Sequence, residues 1–326
     1  MKTLKKSLLV IVLLLVLVVA GAAIYVTTAL PNVGEAPDLK VEITPEKVEY
    51  GKYLAWHVFQ CIDCHSQRDY SLFSGPPKPG TEAAGGERFD QSMGFPGVFY
   101  SRNITPTGIG DWTDGELFRL ITTGVKKDGE PIFPVMPYHN YGKMANEDVE
   151  AVIAYLRTLK PKEGQFPESE ADFPFNFLLR TMPAPAAPIE KPDPSDEIAY
   201  GEYMFIAASC AECHTKFEKG KMVGPICGGG REFGFPDGSI LRSPNITFDM
   251  SGIGAWTEEM FIDRFKSYSP SSYTPHKVEP GTMQTIMPWM MYADMEESDL
   301  AAIYKYLQTL PKAENTVERY TPPKVK

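Results

Sequence analysis

The chain has 326 residues, enough for two domains of ordinary size, with 43% hydrophobic and 23% charged residues. Its formal net charge is -10; residues 1–30 hold only Lys2, Lys5 and Lys6, so the remainder carries -10 - 3 = -13. This acidic exterior gives no basic footprint for nucleic acid, and 29 prolines with 27 glycines point to many turns and few long elements.

Leu8 to Val26 is an unbroken apolar run behind the three lysines. As a helix it extends roughly 28 Å, close to the hydrocarbon thickness of a bilayer. The lysines predict a cytoplasmic N-terminus, a single-pass anchor at residues 1–30 in the inner (cytoplasmic) membrane, and everything after about Ala29 on the periplasmic side. Ala20-Gly21-Ala22 resembles a cleavage site, but signal h-regions run only ~7–15 residues, so the length favours an uncleaved anchor.

Thr44-Pro45-Glu46 then opens a helix, with proline at the first position and an acid in the first turn. From here the chain repeats itself. Tyr50-Gly51-Lys52-Tyr53 returns as Tyr200-Gly201-Glu202-Tyr203, and Cys61-Ile62-Asp63-Cys64-His65 as Cys210-Ala211-Glu212-Cys213-His214. Asn103-Ile104-Thr105 with Gly108-Ile109-Gly110-Asp111-Trp112-Thr113 returns as Asn245-Ile246-Thr247 with Gly252-Ile253-Gly254-Ala255-Trp256-Thr257. Val135-Met136-Pro137-Tyr138 returns as Ile286-Met287-Pro288-Trp289. Each copy closes on a helical apolar face, Val149, Val152, Ile153 and Leu156 behind Asn146 as N-cap, then Leu300, Ile303 and Leu307 behind Ser298. Two domains follow, 44–160 and 195–312. Between them, 161–194 reads as a proline-rich semi-rigid connector whose apolar Phe173–Leu179 packs along a domain, and 313–326 reads as a loose tail. Between the framing helices the loops are long enough to wrap a bound group.

Cys-x-x-Cys-His is the attachment pattern for c-type haem: two thiols spaced for two vinyl groups, and a histidine placed to ligate the iron. Chance supplies roughly 0.001 such motifs in a chain with five Cys and five His. Structural zinc would gather four ligands at one site. The expected cofactors are therefore two covalently bound haem c groups, held by Cys61, Cys64 and His65 and by Cys210, Cys213 and His214.

Methionine is the expected sixth ligand of an electron-transfer haem. Met136 and Met287 hold matching places, each before proline and an aromatic, whereas Met144 and Met295, also matched, read as core. Met283, Met290 and Met291 are back-up candidates in the second copy. His57, His139 and His276 are unrepeated and read as surface or loop histidines, with His139 the leading exception; Cys227 reads as a lone buried thiol. Trp112 and Trp256 read as core, with a hydrogen bond to a haem propionate as an addition. The Asn-Ile-Thr blocks match glycosylation sequons but read as loops lining the haem crevice.

With these blocks in hand, the chain resembles the cytochrome c subunits of membrane-bound alcohol and gluconate dehydrogenases from about Tyr50 to Pro311. The resemblance implies an all-α fold of two tandem cytochrome c domains after an N-terminal transmembrane helix, with Gly51 against Tyr155 and Gly201 against Tyr306. It implies iron ligation by His65 with Met136 and His214 with Met287, and electron transfer from a periplasmic donor to a quinone or oxidase. Those subunits carry three haem motifs; this sequence has two. The expected function is electron transfer without chemistry of its own, as a tethered carrier or a fixed subunit. The expected partners are redox proteins: a dehydrogenase, a quinol-oxidising complex or a terminal oxidase. The alternative is a dihaem peroxidase, which would need an open iron and an acid–base group beside it.

Overall fold

An apolar helix, α1 (Lys2–Ala29), opens the computed structural model, which describes residues 2–323. Its most apolar 18 residues have a mean hydropathy of 3.2, and none of that stretch is buried. A stretch so apolar and uncovered is no core element, and it fits a membrane anchor.

The rest is mainly helical. The first half contains α2 (Pro45–Tyr53), a π-helical turn at Leu54–Val58, α3 (Cys61–Cys64), β1 (Arg88–Phe89), β2 (Gly97–Tyr100), α4 (Pro106–Ile109), α5 (Asp114–Thr123), α6 (Tyr138–Tyr141) and α7 (Asn146–Thr158). The connector carries β3 (Glu170–Ala171) and α8 (Phe175–Leu179). The second half contains α9 (Glu197–Ala207), α10 (Cys210–His214), β4 (Phe217–Glu218), β5 (Lys221–Met222), β6 (Glu232–Gly234), β7 (Ile240–Arg242), α11 (Glu258–Lys266), α12 (Trp289–Tyr292) and α13 (Glu297–Thr309), and β8 (Tyr320–Thr321) follows.

Thr44 caps α2 by accepting from Lys47 N, as the opening signature predicts. The other two cap assignments shift by one or two residues: Ala145 and Glu296 precede α7 and α13. Asn146 is thus helical, and Ser298 lies inside the first turn. Glu147, Asp148, Glu297 and Asp299 supply the negative charge favoured at those N-termini.

An all-α description is too strong, because three small antiparallel sheets are present: β1-β2-β3, β4-β5 and β6-β7-β8. Their strands are two to four residues long and leave no alternating pattern in the sequence. The outer strands come from far along the chain: Gly97 lies opposite Ala171, and Ile240 opposite Thr321. Neither the connector nor the described part of the tail is loose. Phe175 of the connector joins an aromatic cluster through Phe133, and Asn315 of the tail donates to Gly228 O at 2.7 Å.

The first and last helices of each half cross at a glycine. A β-carbon at Gly51 would stand 1.8 Å from Ala151 O and 3.1 Å from Tyr155 Cβ; at Gly201 it would stand 2.0 Å from Ala302 O and 3.1 Å from Tyr306 Cβ. The glycine–tyrosine pairs expected from the resemblance are therefore in place, and the closest approach is to backbone. Only glycine permits it.

One extra residue separates Gly51 from Cys61 compared with Gly201 from Cys210. The π-helical turn at 54–58 takes it up, since a wider turn absorbs one residue without breaking the helix. Gln60 and Ser209 then share φ 56° and ψ 33°, so both cysteine helices start alike.

The halves pack reciprocally. Tyr53 Oη accepts from Glu296 N at 3.1 Å and donates to Asp299, while Tyr203 Oη accepts from Ala145 N at 3.0 Å and donates to Asp148 at 2.7 Å. Burial holds both phenols well above their usual pKa, so they stay neutral donors. This is the self-complementary pattern of a two-fold interface, made within one chain.

Replacing Gly51 or Gly201 by alanine is expected to force each helix pair apart and cost about 3 kcal/mol. Denaturant unfolding of the full chain checks this, and an unchanged midpoint would contradict the close approach.

Candidate functional site

Each Cys-x-x-Cys-His motif lies on a short helix, α3 or α10, launched by the left-handed residue before it. Burial raises all four thiol pKa values, those of Cys61 and Cys64 to about 12. Yet Cys213 is exposed and the other three are only partly buried. Deep surroundings with open surface describe thiols that line a recess.

The histidines are set for ligation by their outer nitrogen. His65 Nδ1 lies 2.6 Å from Arg102 O, and His214 Nδ1 lies 2.9 Å from Pro244 O. A carbonyl only accepts, so Nδ1 carries the proton and Nε2 keeps a free lone pair. Burial lowers the pKa of both rings, which keeps them neutral.

The Asn-Ile-Thr blocks hold those two carbonyls in place. Asn103 Oδ1 accepts from Thr105 N and Oγ1, and its amide donates to Lys162 O at 2.8 Å. Asn245 repeats this with Thr247 and with Ala313 O at 2.6 Å. At 7% and 4% exposure these asparagines serve the fold; they are closed to glycosylation once folded.

The two candidate methionines sit on matching turns. Tyr138 N donates to Met136 O and Trp289 N to Met287 O, both at 2.8 Å, around Pro137 (φ -79°, ψ 55°) and Pro288 (φ -81°, ψ 66°). These are inverse γ-turns, for which the proline ring presets φ. Each turn is tied back to its cysteine motif: Tyr141 Oη donates to Phe59 O and Tyr292 Oη to Ala208 O, both at 2.6 Å. The structure thus links histidine and methionine segments that lie about 70 residues apart in each half.

Ile104, Trp112, Met136 and Leu159, with their equivalents Ile246, Trp256, Met287 and Leu310, are half-buried in both halves and pack against the core. This donor set and these half-buried apolar side chains fit haem c: thiols for the vinyl groups, a neutral imidazole, a thioether and apolar surface for the macrocycle.

The remaining candidates separate cleanly. Met144 and Met295 are core, each 1% exposed, and Met290 and Met291 are buried, while Met283 is exposed. His139 and His276 are exposed, but His57 is not a surface residue: it sits half-buried in the π-helical turn, with Nδ1 2.8 Å from Met291 O in the other half. Cys227 is buried at φ 61°, where the first half has Ala83 at φ 64°; both carbonyls accept from the isoleucine of Asn-Ile-Thr. A small residue is what that position needs.

Sequence reasoning missed a brace between the halves. Arg68 is buried against Asp63 at 3.4 Å, donates to Ser74 O and Gly75 O at 2.8 Å, and so shapes the loop after the first motif. From that loop Ser74 Oγ donates to Met287 O at 2.5 Å and accepts from Trp289 N at 3.2 Å, while Gln284 Oε1 accepts from Ser74 N. The first half therefore grips the Met287 turn directly. Ser74 and Gln284 have no repeat-equivalent partner in the sequence, so no periodicity marked them.

Comparison with known proteins agrees with this geometry. Residues 198–311 match the cytochrome c family. The second half is a cytochrome c domain. The chain is also 31% identical over 286 residues to the fructose dehydrogenase cytochrome subunit of Gluconobacter japonicus, covering 82% of this chain and 54% of that one. It is 28% identical over 291 residues to the cytochrome c subunit of alcohol dehydrogenase (quinone) from Gluconacetobacter polyoxogenes, covering 84% and 58%. A diheme cytochrome c-type protein of Cereibacter sphaeroides is 28% identical over 188 residues, covering 55% and 60%. The chain spans a little over half the length of the first two relatives. The resemblance to dehydrogenase cytochrome c subunits is thereby borne out.

Ser74→Ala is expected to loosen the Met287 turn while leaving the first half alone. Optical and redox titration should show one haem component shifted and the other unchanged; two unmoved components would contradict the brace.

Proposed function

We propose that this chain is a membrane-anchored dihaem cytochrome c. Two cytochrome c domains, 44–160 and 195–312, pass electrons between respiratory partners on the periplasmic side of the inner membrane. The chain serves as a tethered carrier or as the electron-transfer subunit of a larger complex. The relatives' names, cytochrome subunits of fructose and alcohol dehydrogenases, support the subunit role.

The observation that carries this reading is the duplicate set of ties. In both halves an imidazole donates its Nδ1–H to a fixed carbonyl, and a Met-Pro turn is bonded through a tyrosine to the second residue before the cysteine helix.

Haem, when bound, supplies a one-electron iron couple. The chain's own residues do the rest. Cys61 and Cys64, then Cys210 and Cys213, anchor the group by thioether bonds; His65 and His214 present Nε2, with Nδ1 keeping its proton on the carbonyl. Met136 and Met287 would offer the group a soft thioether, which raises the potential. The half-buried tryptophans and isoleucines exclude water. With equivalent turns in both halves, a thioether would be offered to each haem alike, which would leave a peroxidase no open site.

The full-length protein is expected to give two haems per chain by pyridine haemochrome analysis, and Cys61→Ser with Cys64→Ser is expected to give one. Met136→Ala and Met287→Ala are each expected to lower one midpoint potential and open that iron to carbon monoxide. Unmodified protein that binds carbon monoxide rapidly and turns over peroxide would overturn the carrier reading.

A further inference from the structure

Residues 173–189 are almost free of charge. At the chain's 23% charged content a stretch of 17 residues would hold about four charges (17 × 0.23), and this one has only Arg180. Yet the stretch lies on the surface: Phe173 is 81% exposed, Leu178 50%, Ile189 44% and Phe177 37%. The short helix α8 explains which side chains face out. Phe175 and Leu179, one turn apart, go inward, Phe175 against Phe133 at 5.6 Å between centroids and Leu179 into a buried position. Phe177 and Leu178 are left on the outer face, beside Phe173.

This apolar face adjoins the end of the membrane helix. Helix α8 contacts α1, and Arg180 donates to the carbonyl of Leu30, the residue after α1, at 3.0 Å. The same guanidinium pairs with Glu130, so the one charge in the stretch is engaged. Leu39 and Val41 pack on the core, and Val41 N is held by Asp114 at 2.9 Å, so the segment leading from α1 is itself docked. The place where the chain leaves α1 is therefore fixed relative to Phe173 and Phe177.

We propose that Phe173, Phe177 and Leu178 form a second membrane contact, seated in the interfacial layer of the bilayer that α1 enters. The inference rests on reading α1 as an anchor. Aromatic rings continuous with a spanning helix, uncharged and uncovered by protein, suit the boundary between headgroups and acyl chains. The contact makes the connector a rest that sets the tilt of both halves above the membrane, so that the haem sites meet integral membrane partners at a fixed height.

The test places a photoactivated benzophenone amino acid at Phe173 or Phe177 of the full chain in its native membrane. Leu15 in α1 serves as the positive control, and Met250, 77% exposed and outside the patch, as the negative one. Mass spectrometry of the adducts should show lipid at Phe173 and Phe177 several-fold above Met250, together with lipid at Leu15. Lipid at Leu15 but no more at Phe173 and Phe177 than at Met250 would overturn the contact while leaving the anchor intact, and so would adducts to a second protein in place of lipid. No lipid at Leu15 would remove the anchor reading and the contact with it.

Discussion

The bond from a tyrosine hydroxyl to the carbonyl two residues before each cysteine helix is the constraint on which the site depends. Tyr141 and Tyr292 each sit one turn beyond a Met-Pro corner, and each reaches the other end of its half to hold Phe59 O or Ala208 O. A buried hydrogen bond contributes only about 1 kcal/mol net, but leaving its partners unmade costs about 1–3 kcal/mol. Its larger effect is geometric. Imidazole and thioether come from segments that share no secondary structure, and this bond fixes one against the other. The glycine crossings at Gly51 and Gly201 support it, because they set the distance between the helix leading to the cysteines and the helix that follows the methionine.

The two halves are alike but not independent. Tyr53 and Tyr203 cap each other's closing helices, so the interface reads the same from either side. The loop from Arg68 to Ser74 then breaks that equivalence, because it supports the Met287 turn from the first half. A rigid pair with unequal support suits a relay: the distance between the sites is held, and the second site's stiffness depends on the first half being folded.

Much of this was legible in the sequence because duplication separates signal from noise. A lone methionine says little, but Met136 and Met287 at matching places in the repeat, before proline and an aromatic, mark a turn that the structure repeats to within about ten degrees. The Asn-Ile-Thr blocks were legible as part of the fold, not as glycosylation sites, for the same reason, and both asparagines are buried. What escaped was asymmetric or long-range. The brace through Ser74 joins residues more than 200 positions apart, with no copy to expose it. The strands β3 and β8 are two-residue pairings made by the connector and the tail, too short to carry a period. The π-helical turn was written as one surplus residue before Cys61, a clue with no meaning until the helix is seen to absorb it. His57 followed from the same turn, which carries it into the interface between the halves.

The account stands on sulfur facing imidazole in each half. Proton NMR of the fully reduced full-length protein in detergent reads this directly, because a methionine methyl bound to low-spin ferrous haem is shifted far upfield by the porphyrin ring current. The account predicts two such methyl resonances, one lost in each of the two methionine variants. A single resonance, or none, in fully haem-loaded protein would contradict it.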